Sequence, residues 1–497
     1  MSSNLIYPTA RRTGRTLSVL ASALLLASCA TSGGLAPSAA PRSADALSAT
    51  RSLDGHLSDA AFPREDWWTR LRDPQLDGLI REALAGTPSL EAADARLRQA
   101  RAQAGLTNAE RRPSLSGSAQ YTGVQLPETL LGDEFGGRLM HSTVLMLNFS
   151  WRLDIWGGQR AAYEAAVGQA RAAEVDAQAA RLALSANIVR AYINLAQAYD
   201  AQQVARDEEK RASHLFDLGD KRVKAGLDNQ LQLRQSESAI ASARQQAEAA
   251  QQQIDALRNA LAALLGKGPD RGLDIAPPKL LDAPTPAVPN VLPSELLGHR
   301  ADVVAARWRV EAASRGIDAA KAAFKPSINL SAIVGLADAG LSDLFSNEAL
   351  LGFGGPALSL PIFDGGRLRG QLDTRDAQYD LAVAEYNQSL VSAMHEVADA
   401  VQASRSLDAQ LVQATQARDA ARAALDLATS RYSAGIGNQL EVLTTQRPLL
   451  QLEQQLATLR AQRYATVVDL DQALGGGLPL GAPSLSSSDS DISKVTP

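Results

Sequence analysis

The sequence lacks several features that define common functional classes. It has one Cys, so neither an intrachain disulfide framework nor a Cys-rich zinc or iron–sulfur site can form. Its 49 Lys and Arg residues are outnumbered by 54 Asp and Glu residues, which argues against a nucleic-acid binder because such a protein needs a basic face. Aromatic residues make up only 4%, so the 45% hydrophobic content rests mainly on Ala, Leu and Val. A chain of 497 residues with this content can still bury a sizeable core.

Long apolar runs and catalytic motifs are also missing. No 18-residue apolar run follows the N-terminal region, which excludes a helical inner-membrane pump. There is no P-loop, no dinucleotide-binding glycine fingerprint and no His-Glu-x-x-His pattern, and the five His residues are dispersed. We therefore predict that the chain is not an enzyme, holds no metal and needs no cofactor apart from the covalent lipid described next.

The N-terminus has the layout of an export signal. A basic segment precedes the short apolar run Leu17–Ala27, which is too short for a membrane span. The sequence Leu-Ala-Ser-Cys that ends at Cys29 resembles the bacterial lipoprotein signal, in which the Cys receives diacylglycerol and palmitate and becomes the mature N-terminus. Ala30 in the next position favours the outer membrane. We predict a signal peptide over 1–28 and a lipidated tether over 29–60, rich in Ser, Ala, Gly and Pro.

The rest of the chain is a tandem repeat with an offset near 210 residues. Related segments follow one another in the same order in both halves, which chance similarity would not preserve. The paired segments are Arg112-Pro113-Ser114 with Lys325-Pro326-Ser327, Asp154–Arg160 with Pro361–Arg367, Arg222–Gly226 with Arg431–Gly435, Asn229-Gln230-Leu231 with Asn438-Gln439-Leu440, and Leu265-Gly266 with Leu474-Gly475. We predict a first repeat over 61–285, a second over 286–477, and a disordered tail over 478–497.

Each repeat contains two segments in which apolar and polar residues alternate. A period of two indicates a strand with one apolar and one polar face, and about ten residues suit a tilted transmembrane strand. The fourth of these segments centres on Leu358, Leu360 and Ile362. We predict that the apolar faces contact lipid through these strand residues: Leu115, Tyr121, Leu147, Phe149, Trp151, Leu330, Leu358 and Leu360.

Each repeat also contains a long helical segment. No Pro occurs between Pro127 and Pro269 or between Pro361 and Pro448, and small or apolar residues recur every three or four positions. One helix over 160–218 would measure roughly 90 Å, far more than a globular core needs. We predict that these helices return through Gly226 and Gly435, because Gly suits a left-handed cap.

Four membrane strands cannot close a barrel, since the smallest bacterial barrels use about eight. Open strand edges are not tolerated in lipid, so the chain must oligomerise around a closed ring. A dimer would give a narrow lumen filled by side chains, whereas a trimer would leave room for water. The predicted assembly is a conduit for solutes, lined by the polar strand faces.

In its sequence motifs the chain resembles outer-membrane efflux channel lipoproteins of the NodT type, in the TolC-like superfamily. The motifs that carry the resemblance are Trp67-Trp68, Asp73–Leu76, Asp154–Gly157, Arg300–Val303, Phe324–Ser327, Pro361–Gly366, Glu396–Ala400 and Ala473–Gly477. The resemblance implies a mainly α fold with transmembrane β: a homotrimer whose four strands per chain form a 12-stranded barrel, continued by a long periplasmic α-helical barrel. It also implies a passive channel subunit of a tripartite efflux system in the outer membrane, extending into the periplasm. Its partners would be outer-membrane lipid, a periplasmic adaptor and an inner-membrane pump of the RND type.

The resemblance further implies a periplasmic gate on the helix that follows Gly435. The corresponding positions are Leu440, Thr444 and Arg447, whose spacing of four and three puts them on one helix face. Relatives often carry Asp at the position of Thr444, so we expect an apolar ring from Leu440 in place of a charged one.

Two other interpretations stay open from the sequence. A protein-secretion channel would share the fold and differ in cargo. A structural coiled-coil lipoprotein of the periplasm would explain the helices and the lipid signal but not the amphipathic strands.

Overall fold

The computed structural model describes residues 33–43, 47, 51–53, 57–58, 61–125, 127, 129, 139–280, 288–289 and 296–477. The predicted signal peptide, Cys29, the predicted repeat boundary at 285 and 286, and the predicted tail lie outside these residues. The chain divides into two compact units. The first comprises the described residues of Met1–Pro41, Leu97–Ala173 and Ala306–Tyr386, and the second those of Arg42–Arg96, Glu174–Ala305 and Asn387–Pro497.

Most of the described chain is helical. Its α-helices are α1 (Pro74–Ala85), α2 (Pro88–Ala109), α3 (Gly158–Lys224), α4 (Gln230–Leu264), α5 (Asp270–Leu273), α6 (Leu296–His299), α7 (Ala301–Ala322), α8 (Arg367–Ser433) and α9 (Gln439–Ala473). Short 3-10 helices span Trp67–Leu71 and Asn347–Ala349. Across the described residues, no helix combines the length and apolar character needed to cross a membrane.

The long helices form two pairs of matching length. Both α3 and α8 have 67 residues, and both α4 and α9 have 35. The turns within the pairs contain Gly226 with φ of 74° and Gly435 with φ of 79°, a left-handed conformation that suits Gly because it lacks a Cβ. The side chains of Asn229 and Asn438 then cap the N-termini of α4 and α9.

The strands are β1 (Leu57–Ser58), β2 (Ser114–Gln125), β3 (Leu139–Leu153), β4 (Val288–Pro289), β5 (Ser327–Asp338) and β6 (Leu350–Ser359). In the second unit, β1 and β4 form a two-residue parallel pair. In the first unit, the other four form one antiparallel sheet in the order β2-β3-β5-β6. The prediction of four long strands is therefore confirmed.

The limits of two strands differ from the alternation pattern. The pattern extends to Ile155, but β3 ends at Leu153 because the Asp154 carboxylate accepts hydrogen bonds from the backbone N–H groups of Gln159 and Arg160 at the start of α3. The fourth strand begins earlier than the segment around Leu358 suggests, because its first half is rich in Gly and shows no alternation. It also ends earlier, so Leu360 follows the strand instead of lying within it.

The core of the second unit surrounds the start of α1. Trp67, Leu76, Ile80 and Tyr192 are buried together in one cluster. Asp73 caps α1 by accepting from the N–H groups of the next turn, and its Oδ2 accepts a 2.8 Å hydrogen bond from the Tyr192 hydroxyl. The motif Asp73–Leu76 is thus a helix start fixed to α3.

Helices of the first unit approach closely where Gly faces Ala. A Cβ added to Gly168 of α3 would lie 2.9 Å from the Cβ of Ala312 and 3.2 Å from its Cα. Backbone and Cβ atoms cannot move aside as a flexible side chain can, so this contact depends on the absence of a side chain.

We predict that Gly168→Ala separates α3 from α7 and lowers the thermal unfolding midpoint, because overpacking costs about 1–3 kcal/mol. The matched control is Gly105→Ala in α2, where an added Cβ meets nothing within 4 Å. That change should leave the midpoint unchanged or raise it, since Ala is the better helix former. Circular dichroism melts of the purified protein compare the two; equal midpoints would contradict the assigned contact.

Candidate functional site

The register of the sheet assigns a face to every residue in it. Pairing runs without a skipped residue from Ser114↔Ser150 to Gln125↔Leu139, and from Ser327↔Ser359 to Leu336↔Leu350. Directly paired residues share a face and neighbours along a strand alternate. Seven of the eight predicted lipid-facing residues fall on one face: Leu115, Tyr121, Leu147, Phe149, Trp151, Leu330 and Leu358.

The large side chains of this apolar face are exposed in the single chain. Leu358 is 71% exposed and Leu115 is 69% exposed, although both are large aliphatic side chains. An exposed apolar patch of this kind marks a surface that contacts lipid or protein. The opposite face carries mainly short polar side chains: Ser114, Ser116, Ser118, Gln120, Thr122, Asn148, Ser150, Asn329 and Ser331.

The edges of the sheet are the strands β2 and β6. Within the described residues each has a strand neighbour on one side only. A row of backbone N–H and C=O groups along such an edge is a template for pairing with another strand. Any further strand that pairs with β2 or β6 must therefore come from outside the described residues.

The recurrent motifs form joints between elements. The Trp156 indole N–H donates to the Pro326 carbonyl oxygen at 2.6 Å, and the Lys325 ammonium lies 4.8 Å from the centre of the Trp156 ring. In the second unit, Arg300 forms ion pairs with Asp302 and Glu396, and it donates to a backbone carbonyl near the end of α9. These residues hold segments together. In the described part of the chain, no cluster of three His, Cys, Asp or Glu side chains could bind a metal.

The predicted gate residues lie on an exposed surface of α9. Leu440 is 64% exposed, and Thr444 and Arg447 are also exposed. The Thr444 hydroxyl donates to the carbonyl oxygens of Leu440 and Glu441, so it is satisfied within the helix. Leu227, Leu231 and Ile436 are similarly exposed near the turns of the two helix pairs.

A cluster of three side chains joins the ends of the two helix pairs. The Tyr432 hydroxyl donates to Asp228 Oδ2 at 2.5 Å, and Arg222 Nε donates to the same oxygen at 2.8 Å. The Arg222 guanidinium also lies 4.6 Å from the centre of the Tyr432 ring and donates to the Tyr432 carbonyl oxygen. We call Arg222, Asp228 and Tyr432 the clasp.

The clasp changes the acidity of its members. Burial by itself raises the pKa of Asp228, but the hydrogen bonds from Arg222 and Tyr432 outweigh it and hold the pKa below the usual range. Burial and the neighbouring Asp228 raise the pKa of Tyr432 to about 12, so the phenol remains a donor at neutral pH. The lowered pKa of Asp228 means that the clasp stabilises the fold above about pH 4 and loses this contribution as the pH falls through the folded value.

The sequence did not reveal the clasp. Arg222 and Gly226 stand out as repeated residues, but Asp228 and Tyr432 are separated by 204 positions. The available signal was the asymmetry of the repeat: Tyr432 stands where the first repeat has Val223, and Asp228 stands where the second has Gly437.

We predict that Asp228→Asn accelerates backbone hydrogen exchange around Gly226 and Gly435 by about tenfold or more at pH 7, because a charge-assisted hydrogen bond contributes about 1.5–3 kcal/mol. The control is Asp220→Asn, which removes an exposed ion pair with Lys224 one or two turns away. That change should alter exchange little. Equal exchange in both variants would show that the clasp does not stabilise the helix ends.

Comparison with known proteins agrees with this geometry. The sequence matches the family described as outer membrane efflux protein over residues 79–267 and 292–476. It is 40% identical to the fusaric acid resistance protein FusA of Burkholderia cepacia over 73% of this chain and 69% of that protein. It is 32% identical to the pyoverdine export outer membrane protein OpmQ of Pseudomonas aeruginosa, over 93% of this chain and 97% of that protein.

The structure also matches solved channels. The outer membrane protein VceC of Vibrio cholerae superposes with a TM-score of 0.77 at 39% identity, covering 84% of this chain and all of VceC. The predicted TolC-like fold, the outer-membrane location and the role in efflux are confirmed. With a family match across most of its length and relatives above 30% identity, this chain belongs to the outer membrane efflux protein family.

Proposed function

We propose that three copies of this chain close into the outer-membrane exit tunnel of a tripartite efflux system. The observation that carries the proposal is the four-stranded sheet with one apolar face, one polar face and two open edges. Joining β2 of one copy to β6 of the next would leave no edge in lipid, and three copies supply twelve strands. The apolar face would contact lipid and the polar face would line water.

The proposed activity is passive conduction, without catalysis. Named relatives act in fusaric acid resistance and pyoverdine export, which supports small organic solutes as the cargo more than secreted proteins. A structural periplasmic coiled coil is disfavoured because it has no use for a two-faced sheet. The test is the stoichiometry of the detergent-extracted particle together with its conductance in a planar bilayer. Three chains per particle and discrete channels are expected, whereas a non-conducting monomer would end the proposal.

The turns of the helix pairs are the proposed contact surface for a periplasmic adaptor, which would connect the tunnel to an inner-membrane pump of the RND type. Leu227, Leu231 and Ile436 are exposed apolar side chains at these turns. Water-exposed aliphatic residues clustered at the ends of long helices favour a protein partner.

Leu440, Thr444 and Arg447 form the proposed constriction of the tunnel. The three residues share an exposed face of α9. In a ring of three chains, Leu440 would supply an apolar ring that resists wetting by water and ions.

We predict that Leu440→Ala raises single-channel conductance, because the smaller side chain widens and weakens this ring. Leu231→Ala is the matched control, since Leu231 occupies the corresponding repeat position and is 63% exposed. Recordings in planar bilayers should show a higher conductance for Leu440→Ala only. An equal response of both variants would remove Leu440 from the constriction.

Cys29 is the proposed lipid attachment site, and the described part of the tether supports this. The N–H groups of Ser38 and Ala39 and the Ser38 hydroxyl all donate to the Asp380 carboxylate on α8. Further toward the N-terminus, a Cβ on Gly33 would lie 3.8 Å from the Arg369 guanidinium carbon, close to the start of α8. The described residues at the start of the tether thus lie along the first part of α8, which follows the last strand of the sheet. This placement favours an anchor at the membrane end of the chain.

We predict that Cys29→Ser abolishes incorporation of radiolabelled palmitate, because no other thiol is available for diacylglycerol transfer. Asp380→Asn is the control, since it weakens the tether contact but keeps the modified residue. Label retained by Cys29→Ser would place the lipid elsewhere or exclude it.

A further inference from the structure

The polar face of the sheet also carries one cationic side chain and several apolar ones among its short polar residues. Paired residues form rows across the strands, and one row contains Arg152, Asn329 and Ala357. Another row contains Asn148, Ile333 and Phe353. Both rows lie on the same face, because Arg152 and Asn148 are separated by an even number of residues along β3 and the register has no bulge.

In the described strands β2, β3, β5 and β6, Arg152 is the one residue that is Lys or Arg. Its side chain is exposed, and its Nε donates to Asn329 Oδ1 at 3.4 Å. No described carboxylate forms an ion pair with it. The charge is therefore available to an anion, and in a ring of three chains it would recur three times around the lumen.

Phe353 is the largest side chain of β6, and it lies on the polar face. Gly352 and Gly354 flank it, so the opposite face carries no bulk here. A Cβ on Gly354 would lie 2.8 Å from the Ser331 carbonyl oxygen and 2.9 Å from the Ala332 Cα, so this position excludes a side chain. Phe353 is 63% exposed, and its direct partner is Ile333.

The two features are close enough to contact one molecule. Asn329 and Ile333 are four residues apart on β5, or about 13 Å at 3.3 Å per residue, and neighbouring strands lie about 4.8 Å apart. The polar face thus presents a cation and an apolar surface. The distance between them is about the length of a small amphipathic molecule.

We propose that Arg152, Ile333 and Phe353 form a transit site for organic anions that carry an aromatic or branched aliphatic body. The inference rests on the proposed function, because it requires the polar face to line the tunnel. The carboxylate or similar group of the solute pairs with Arg152, and its apolar body lies against Ile333 and Phe353. The site biases the cargo toward this class and leaves water and small ions free to pass.

The experiment records single channels of the full-length protein in planar bilayers. The probes are 4-butylbenzoate, the uncharged 4-butylbenzamide and acetate. Each is added in turn to the solution on either side of the bilayer. We expect 4-butylbenzoate to interrupt the wild-type current for longer than either other probe. Arg152→Gln should shorten these interruptions by about threefold, a typical effect of an exposed ion pair, and should not change the response to 4-butylbenzamide. Phe353→Ser should shorten the interruptions by both butyl compounds.

Ser118→Ala on the same face of β2, outside both rows, is the matched control and should behave as the wild type. Arg152→Lys should retain the preference for the anion, which separates charge from shape. If Phe353→Ser does not assemble, Ile333→Ser tests the same apolar surface. Equal interruptions in the wild type, Arg152→Gln and the apolar variant would overturn the transit site while leaving the channel intact. A wild-type protein without conductance would instead overturn the proposed function.

Discussion

A backbone hydrogen-bonding group that faces hydrocarbon without a partner costs several kcal/mol, and this cost governs the whole architecture. The four long strands satisfy one another only in the interior of their sheet, and β2 and β6 keep one unpaired side each among the described residues. Among the described residues, no helix is long and apolar enough to cross a membrane. In the proposed ring, further copies of the chain pair with these two edges, and the tunnel is the geometric result.

Much of the fold could be predicted from local patterns. The absence of Pro and the recurrence of small residues every three or four positions predicted α3 and α8, because both features act within one helix. Alternation predicted β2, β3 and β5. It also predicted β6 but placed its limits too late in the chain, because Gly352, Gly354 and Gly355 contribute no polarity signal although close strand packing excludes a side chain at Gly354.

The functional surfaces were harder to predict than the elements. Arg222, Asp228 and Tyr432 meet because two helix pairs end at the same level in the second unit, and no local pattern encodes such a meeting. The family motifs are conspicuous in the sequence for a different reason. Trp156, Pro326 and Arg300 hold joints where one element ends and another begins, so they report the fold and say little about the cargo.

The clasp also constrains how the long helices can change in evolution. Asp228 follows the end of α3 and Tyr432 lies at the end of α8, and these two helices are equally long. An insertion of two heptads in α3 alone would shift Asp228 by about 21 Å along the helix axis and out of reach of Tyr432. Natural length variants of such proteins should therefore gain or lose residues in both halves of the gene together, with α4 and α9 adjusted to match.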